Sequence, residues 1–193
     1  MRIRTKVRFE AARYLATAAL ALLVALFDFG PSTRQAHAAD PPIAQKGNFK
    51  AEIIIHFSGH LLVLEEGHSF WRGDGKGVVM NAAGSGFLHH ASIVMSGVVD
   101  INGAAVSNDA YAVIADQDGD KVFCRFSLSS KEGGAGAAIE GTSGQVELQG
   151  GTGKYKGVKG RAKATYRDIA VREAGAIVEG EGVYALDGQW ARP

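Results

Sequence analysis

Histidine is the side chain that first suggests chemistry in this 193-residue sequence, because five of its six histidines lie between residues 56 and 90. Histidine is the commonest metal ligand in proteins. The spacings match no metal-binding motif, and adjacent strand residues point to opposite faces. We therefore interpret them as surface histidines and predict no metal site. His89 shares its parity with Phe87 and Ala91, which makes it the best histidine candidate for an interior acid–base group. The five are His56, His60, His68, His89 and His90.

The acidic segment 116–120, of sequence DQDGD, suggests calcium at first sight. A calcium-binding EF-hand loop needs glycine at its sixth position and glutamate at its twelfth. Counting from Asp116, glycine stands fourth and Ser127 stands twelfth. Asp-Gly is a strong signal for a two-residue hairpin connection, so we predict a turn here.

Tyr166 and Asp168 share one parity of a late strand, so both side chains point into the fold if that face is interior. A buried carboxyl group has a raised pKa and can serve as an acid or a base. The alternative is that Asp168 lies past the strand end, in solvent. If the chain is an enzyme, the candidate catalytic residues are His89, Tyr166 and Asp168. The sequence contains no nucleophile-elbow motif, dinucleotide fingerprint or Cys-x-x-Cys pair, and whether it is an enzyme stays open.

The segments that must position these residues alternate between apolar and polar side chains with a period of two. Inward residues from Phe49 to Phe57 alternate with mostly polar ones, and Val122, Cys124, Phe126 and Leu128 do the same. This pattern predicts half-buried strands. We count eight or nine strands, separated by turn signals at 102–103, 118–119 and 187–188. An all-β barrel or sandwich follows, and a closed barrel has the advantage of leaving no exposed edge.

Small residues dominate the predicted interior of the last two strands. They are Ala162, Ala164, Ala174, Ala176, Gly180 and Gly182. Such residues can leave a cavity, and an eight-stranded barrel can hold one small ligand. Bulky residues such as Phe49, Phe57 and Phe126 could instead fill that space. With Tyr111 and Tyr184 also placed inward, we predict a ligand-binding set of Tyr111, Ala162, Ala164, Tyr166 and Tyr184.

The N-terminal region has the pattern of an export signal. Five basic residues precede a 14-residue apolar run, and small residues follow at 36–39. The run is shorter than the ~20 residues of a membrane-spanning helix. We predict a cleaved signal peptide at 1–38, a flexible mature N-terminus at 39–47, a β-barrel domain at 48–193, and a periplasmic or secreted protein.

Removal of the signal also changes the charge of the chain. Residues 1–38 hold six basic and two acidic side chains, so the net formal charge falls from +1 to −3. Nucleic-acid binding needs a basic patch, so we predict no nucleic-acid partner. The single cysteine, Cys124, excludes an intramolecular disulfide, and its place among alternating apolar residues predicts a core position.

The segment 150–160, of sequence GGTGKYKGVKG, resembles a hallmark of the allene oxide cyclase and dirigent-type barrels. The segments 116–123 and 86–89 are similar to those of small bacterial exported proteins of that type. The resemblance implies a closed eight-stranded antiparallel β-barrel with short hairpin turns and a central cavity. It also implies homo-oligomers. Separately, we predict no cofactor. No positions match the catalytic residues of the plant cyclases one by one.

These observations favour an exported soluble β-barrel that binds a small, mostly apolar ligand and has no membrane span after signal cleavage. One alternative is an allene oxide cyclase-like isomerase or lyase that acts through the shape of its cavity. Another is a non-catalytic structural or interaction module with a filled core.

Overall fold

Eight long strands form the fold in a computed structural model that describes residues 44–130 and 141–193 and the backbone of 134–135 and 138–139. Each long strand alternates buried and exposed residues, as the period-two pattern predicts. A separate two-residue pair, β6 (Gly134–Ala135) and β7 (Ala138–Ile139), lies between β5 and β8 in the chain. The eight strands are β1 (Lys46–Glu65), β2 (His68–Asn81), β3 (Ala91–Asn102), β4 (Ala105–Ala115), β5 (Lys121–Ser130), β8 (Thr142–Gly151), β9 (Lys159–Ala174) and β10 (Ile177–Ala191).

The sheet closes on itself in the order β1-β10-β9-β8-β5-β4-β3-β2, with every neighbouring pair antiparallel. This confirms the predicted closed eight-stranded antiparallel barrel. We call the end with the turns at 66–67, 103–104 and 175–176 the upper end. The lower end carries the connections 82–90, 116–120 and 152–158. Gly67, Gly103 and Gly175 have φ values of 76°, 59° and 64°, a region that favours glycine.

Two boundaries differ from the sequence prediction. Asp187-Gly188 was predicted to be a turn but lies inside β10, where Gly188 packs against Ala162 of the neighbouring strand. β1 begins at Lys46, so strand pairing starts before the predicted domain boundary at residue 48. The predicted signal peptide and residues 39–43 lie outside the described residues. In the part of the chain that the structure describes, no helix is long and apolar enough to cross a membrane.

Aromatic rings close the lower half of the barrel. Phe87, from the 82–90 connection, stacks on Trp190 with ring centroids 4.5 Å apart and meets Tyr155 edge-on at 5.8 Å. Asn81 holds this connection, because its Nδ2 donates to the Phe87 carbonyl oxygen at 3.0 Å and its Oδ1 accepts the Ala83 N–H at 2.9 Å. The lower end is therefore packed and closed.

Cys124 is a core residue, as its alternation predicted. Its side chain is buried on β5, and burial raises the pKa of its thiol to about 12. A thiol that stays protonated is a poor nucleophile. Cys124 therefore serves packing.

Candidate functional site

The upper half of the barrel encloses a cavity of about 60 Å³. Its wall is mainly apolar. The apolar and glycine residues that line it are Ile55, Phe57, Leu61, Trp71, Gly73, Gly75, Met95, Gly97, Val99, Ile101, Ala110 and Val178. Polar groups come from Asn108, Tyr166, Asp168 and Tyr184, on strands β4, β9 and β10, and the exposed Asp74 of β2 also borders the cavity. An apolar pocket with a few placed polar groups is the usual form of a small-molecule site.

Tyr166 and Asp168 form a hydrogen-bonded pair at this cavity. The Tyr166 hydroxyl donates to Asp168 Oδ1 at 2.6 Å. Burial, followed by this hydrogen bond and the nearby negative charge, raises the pKa of Tyr166 far above its ordinary value. Asp168 is half-buried. Next to it, Ile169 has no partner on β10, because Asp168 pairs with Gly182 and Ala170 pairs with Glu181, so β9 has a β-bulge directly after Asp168. Bulges occur often beside functional sites, where they redirect side chains.

A second polar pair lies beside the first. Asn108 Nδ2 donates to the Tyr184 hydroxyl oxygen at 3.4 Å, and the rings of Tyr184 and Tyr166 have centroids 4.5 Å apart. Burial is the main reason why the pKa of Tyr184 is raised to about 12. At neutral pH both tyrosines are protonated, so each can donate one hydrogen bond.

The Trp71 ring packs against two glycines in the cavity wall. Gly59 of β1 and Gly73 of β2 are directly paired, and a Cβ on either would collide with the Trp71 ring. Phe57 meets the ring edge-on at 6.0 Å. The indole Nε1 is buried and has no hydrogen-bond partner. An unpaired buried donor is costly, so Trp71 is held by ring packing and not by its polar atom.

The predicted small residues of β9 and β10 have three different positions. Ala162 and Ala164 are buried, but in the packed core and not among the cavity-lining residues. Rings cover the two glycines, since Phe57 lies over Gly180 and Tyr166 over Gly182. The inward placement of Ala174 and Ala176 was wrong. Both are exposed, because the β9–β10 hairpin extends beyond the packed barrel.

The inward placement of Tyr111 was also wrong. Tyr111 is 61% exposed on the outer surface, and the inward residues of β4 are Val106, Asn108, Ala110, Ala112 and Ile114. Both parities of residues 110–115 of β4 are apolar in sequence, so alternation there does not distinguish the faces. Asn108 was missed for the same reason. A single amide among the alanines of the correct parity is the signal that would have found it.

His89 lies in the lower connection, away from the cavity lining. Its Nδ1 accepts the Asn81 backbone N–H at 3.2 Å, and its ring lies 3.8 Å from that of His90. The segment is a series of turns and not a strand, so strand parity does not apply to it. Among the described residues, no group of three or more His, Cys, Asp or Glu side chains could hold a metal ion.

The acidic segment 116–120 forms the predicted turn and packs against the glycine-rich segment. Lys154 Nζ lies 2.8 Å from Asp116 Oδ2 and 2.7 Å from Asp118 Oδ2. Asp120 Oδ2 accepts the Lys154 backbone N–H at 2.9 Å, and Thr152 Oγ1 accepts the Lys121 N–H at 2.9 Å. Two of the segments that carry the family resemblance thus form one structural unit at the lower end.

Lys154 is held strongly in this unit. Its partial burial works against the charged form, but hydrogen bonds to Asp116 and Asp118 outweigh burial and raise its pKa. Gly153 has φ 50°, and a Cβ there would collide with the Asp120 carboxylate. The glycine-rich segment therefore closes a turn and is not a phosphate-binding loop.

Fold and site together define a closed antiparallel β-barrel with an apolar cavity at its upper end. No protein-family model and no curated protein matches the chain. Among solved structures, the chain is similar to the pterocarpan synthase dirigent protein GePTS1, with 10% sequence identity and a TM-score of 0.42. The match covers 78% of this chain and 87% of that one. The likeness concerns the fold alone.

Proposed function

We propose that this chain is an exported, soluble β-barrel of the dirigent-like type that binds a small, mostly apolar ligand in its upper cavity. The observation that carries the proposal is the cavity itself, an apolar space with hydroxyl, amide and carboxylate groups in its wall. The glycine-rich segment 150–160 and the eight-stranded closure support the dirigent-like assignment.

The polar groups favour a neutral ligand with an oxygen function on an apolar body. The Tyr184 oxygen accepts from Asn108, which leaves the Tyr184 proton for an acceptor atom of the ligand. The Asp168 carboxylate can accept from a ligand hydroxyl while it holds Tyr166 in place. The residues that line the cavity include no lysine, arginine or histidine. A fatty acid or another anion would therefore find no counter-charge there.

Ligand binding must enlarge the cavity. A volume of about 60 Å³ has room for only a few water molecules. Pockets for drug-sized ligands measure about 300–1,000 Å³. Phe57 and Leu61 are half-buried and lie toward the upper end of β1, so they are the side chains with most freedom to move outward.

Titration with the neutral fluorescent probe N-phenyl-naphthylamine tests the site. Ala110 lines the cavity with its methyl group, so Ala110→Leu places three more carbons in this space. We expect this variant to weaken probe binding about tenfold or more, because the apolar volume is lost. The matched control is Ala185→Leu, on the outer surface of β10. Equal binding by both variants, or no binding by the natural chain, would refute the proposed site.

Export is tested separately by intact mass spectrometry of the protein recovered from a periplasmic fraction. The proposal predicts a chain that begins at Ala39. Recovery of the uncleaved chain from the cytoplasm would overturn export and leave the ligand proposal standing.

A further inference from the structure

The lower half of the outer surface carries a set of exposed residues on β1, β10 and β9 that we call the cationic face. Strand register arranges these residues in three rows across β10, because each outward residue of β10 is paired with one residue on either side. The rows are Lys46–Ala191–Lys159, Asn48–Gln189–Arg161 and Lys50–Asp187–Lys163, and all nine residues are exposed. Five of the six residues that β1 and β9 contribute are therefore cations.

Charge is distributed unevenly between this face and the rest of the molecule. Asp187 pairs with Lys50 at 2.9 Å, and Glu147 of the adjoining β8 pairs with Arg161 at 3.2 Å. Five cations and these two carboxylates give the region a net charge of +3. The rest of residues 39–193 holds ten basic and sixteen acidic side chains, a net charge of −6. The face is not a basic run in the sequence, because closure of the barrel brings the first strand beside the last two.

A shallow groove crosses the cationic face. Asn48, Arg161 and Gln189 border both its lower and its upper part, so the two parts are continuous. The cations of β1 and β9 lie two strand spacings apart, roughly 10 Å, and outward residues repeat about every 6.8 Å along each strand. Lys46 and Lys163 form no ion pair among the residues that the structure describes. The groove is therefore long and narrow, with positive charge on both sides and amide groups at its centre.

We propose that the cationic face binds a linear polysaccharide that carries carboxylates, as a single extended chain lying over β10. The lysines on both sides of β10 attract the carboxylates. The amides of Asn48 and Gln189, which are directly paired, offer hydrogen-bond donors and acceptors to sugar hydroxyls. This face lies on the outside of the barrel at its lower half, so it is separate from the cavity inside the upper end and goes beyond the function proposed for that cavity.

Three other anionic partners fit the face less well. Single-stranded nucleic acid is usually bound by aromatic side chains on which its bases stack, and none of the nine residues of the face is aromatic. A membrane surface favours apolar side chains that insert beside the cations, and the face offers only the methyl group of Ala191. An acidic peptide commonly binds by adding a strand to a free sheet edge. β10 is paired on both sides, so a peptide over it finds no such edge.

Fluorescence anisotropy with a labelled hexamer of galacturonate tests the proposal, with protein expressed from the complete coding sequence so that any processing occurs as in the cell. We expect saturable binding at about 50 mM salt and at least tenfold weaker binding, on the order of magnitude, at about 300 mM salt, because the charges on the face are exposed and screened. Lys46→Glu and Lys163→Glu, on opposite sides of β10, should each weaken binding at least about fivefold. Their effects should multiply in the double variant, because the two positions do not touch.

The matched control is Lys76→Glu, which makes the same change of charge at an exposed position on β2, outside the cationic face. It should change the affinity by less than about twofold, because salt screens distant charges. The methyl ester of the hexamer, which has the same length and no charge, should not bind. Absence of saturable binding to the acid, equal losses in all three single variants, or equal binding of the ester would overturn the proposal.

Competition identifies the class of anion. An oligothymidylate of the same charge, or vesicles that contain phosphatidylglycerol, should displace the labelled hexamer less effectively than unlabelled hexamer does. Tighter binding of either competitor would assign the face to nucleic acid or to a membrane and would overturn the polysaccharide proposal. Binding of N-phenyl-naphthylamine should be the same in Lys46→Glu and Lys163→Glu as in the natural chain, which separates failure at this face from failure at the cavity.

Discussion

Alkaline pH should unfold this barrel cooperatively, because several groups in its interior ionise only when the chain unfolds. Burial raises the pKa of Cys124 to about 12, and burial also raises the pKa values of Tyr166 and Tyr184, the latter to about 12. At pH values below its ordinary pKa, each group contributes its full stabilisation to the folded state. That stabilisation is lost as the pH rises toward the folded-state pKa, since the unfolded chain then releases protons that the folded chain retains.

The size of the effect follows from the shifts. For each pH unit above the ordinary pKa of such a group, the free energy of unfolding falls by about 1.4 kcal/mol. At pH 11, Cys124 is two units above its ordinary value of 9.0 and each tyrosine one unit above 10.0. The loss is about 3 kcal/mol for Cys124 and about 1 kcal/mol each for Tyr166 and Tyr184, or about 5 kcal/mol for these three groups. Because whole domains are stable by about 5–15 kcal/mol, unfolding near pH 11 is expected.

Urea unfolding at about pH 8, 10 and 11 measures this loss as a falling free energy of unfolding. Tyrosinate absorbance should show the buried Tyr166 and Tyr184 ionising only with unfolding. Tyr184→Phe should reduce the slope of the free energy of unfolding against pH by the equivalent of about one proton. Tyr111→Phe, at an exposed position, should leave that slope unchanged. Gradual ionisation of all tyrosines near pH 10 with an unchanged urea midpoint would refute this reasoning.

Three substitutions test other contacts by urea unfolding. Gly182→Ala should cost about 1–3 kcal/mol, because its Cβ collides with Tyr166, and a Tyr166→Ala background should remove most of that cost. Lys154→Met should cost about 2 kcal/mol, because it leaves the nearly buried Asp116 carboxylate without its counter-charge. Asn81→Ala should cost about 1–3 kcal/mol through its two lost hydrogen bonds, while the exposed Asn48→Ala should change stability by less than about 0.5 kcal/mol. Equal effects of the last two would contradict the assigned role of the 82–90 connection.

The strands that could be predicted from sequence are those with one polar and one apolar face. β1 and β5 alternate cleanly, so the inward positions of Ile53 and Cys124 followed from parity alone. Residues 110–115 of β4 are apolar on both faces, and parity therefore placed Tyr111 on the wrong side. Asp187-Gly188 has the residues of a turn, but close packing against Ala162 places its glycine inside a strand.

The candidate site depended on contacts that local patterns do not encode. Tyr166 and Asp168 were found because they lie two residues apart on one strand. Asn108 and Tyr184, which form a hydrogen bond, are 76 residues apart in the sequence. The Trp71 ring can pack against the wall only because Gly59 and Gly73 are directly paired on neighbouring strands. Such pairings depend on barrel closure and register, which alternation within one strand does not determine.

Ligand occupancy of the upper cavity is tested most directly by native mass spectrometry of the protein purified from the periplasm of an exporting host. The proposed function predicts a co-purifying neutral adduct of a few hundred daltons that Ala110→Leu removes and Ala185→Leu retains. A clean apo mass that does not shift after soaking with neutral apolar alcohols and ketones would contradict it, and would indicate a barrel whose interior serves packing alone.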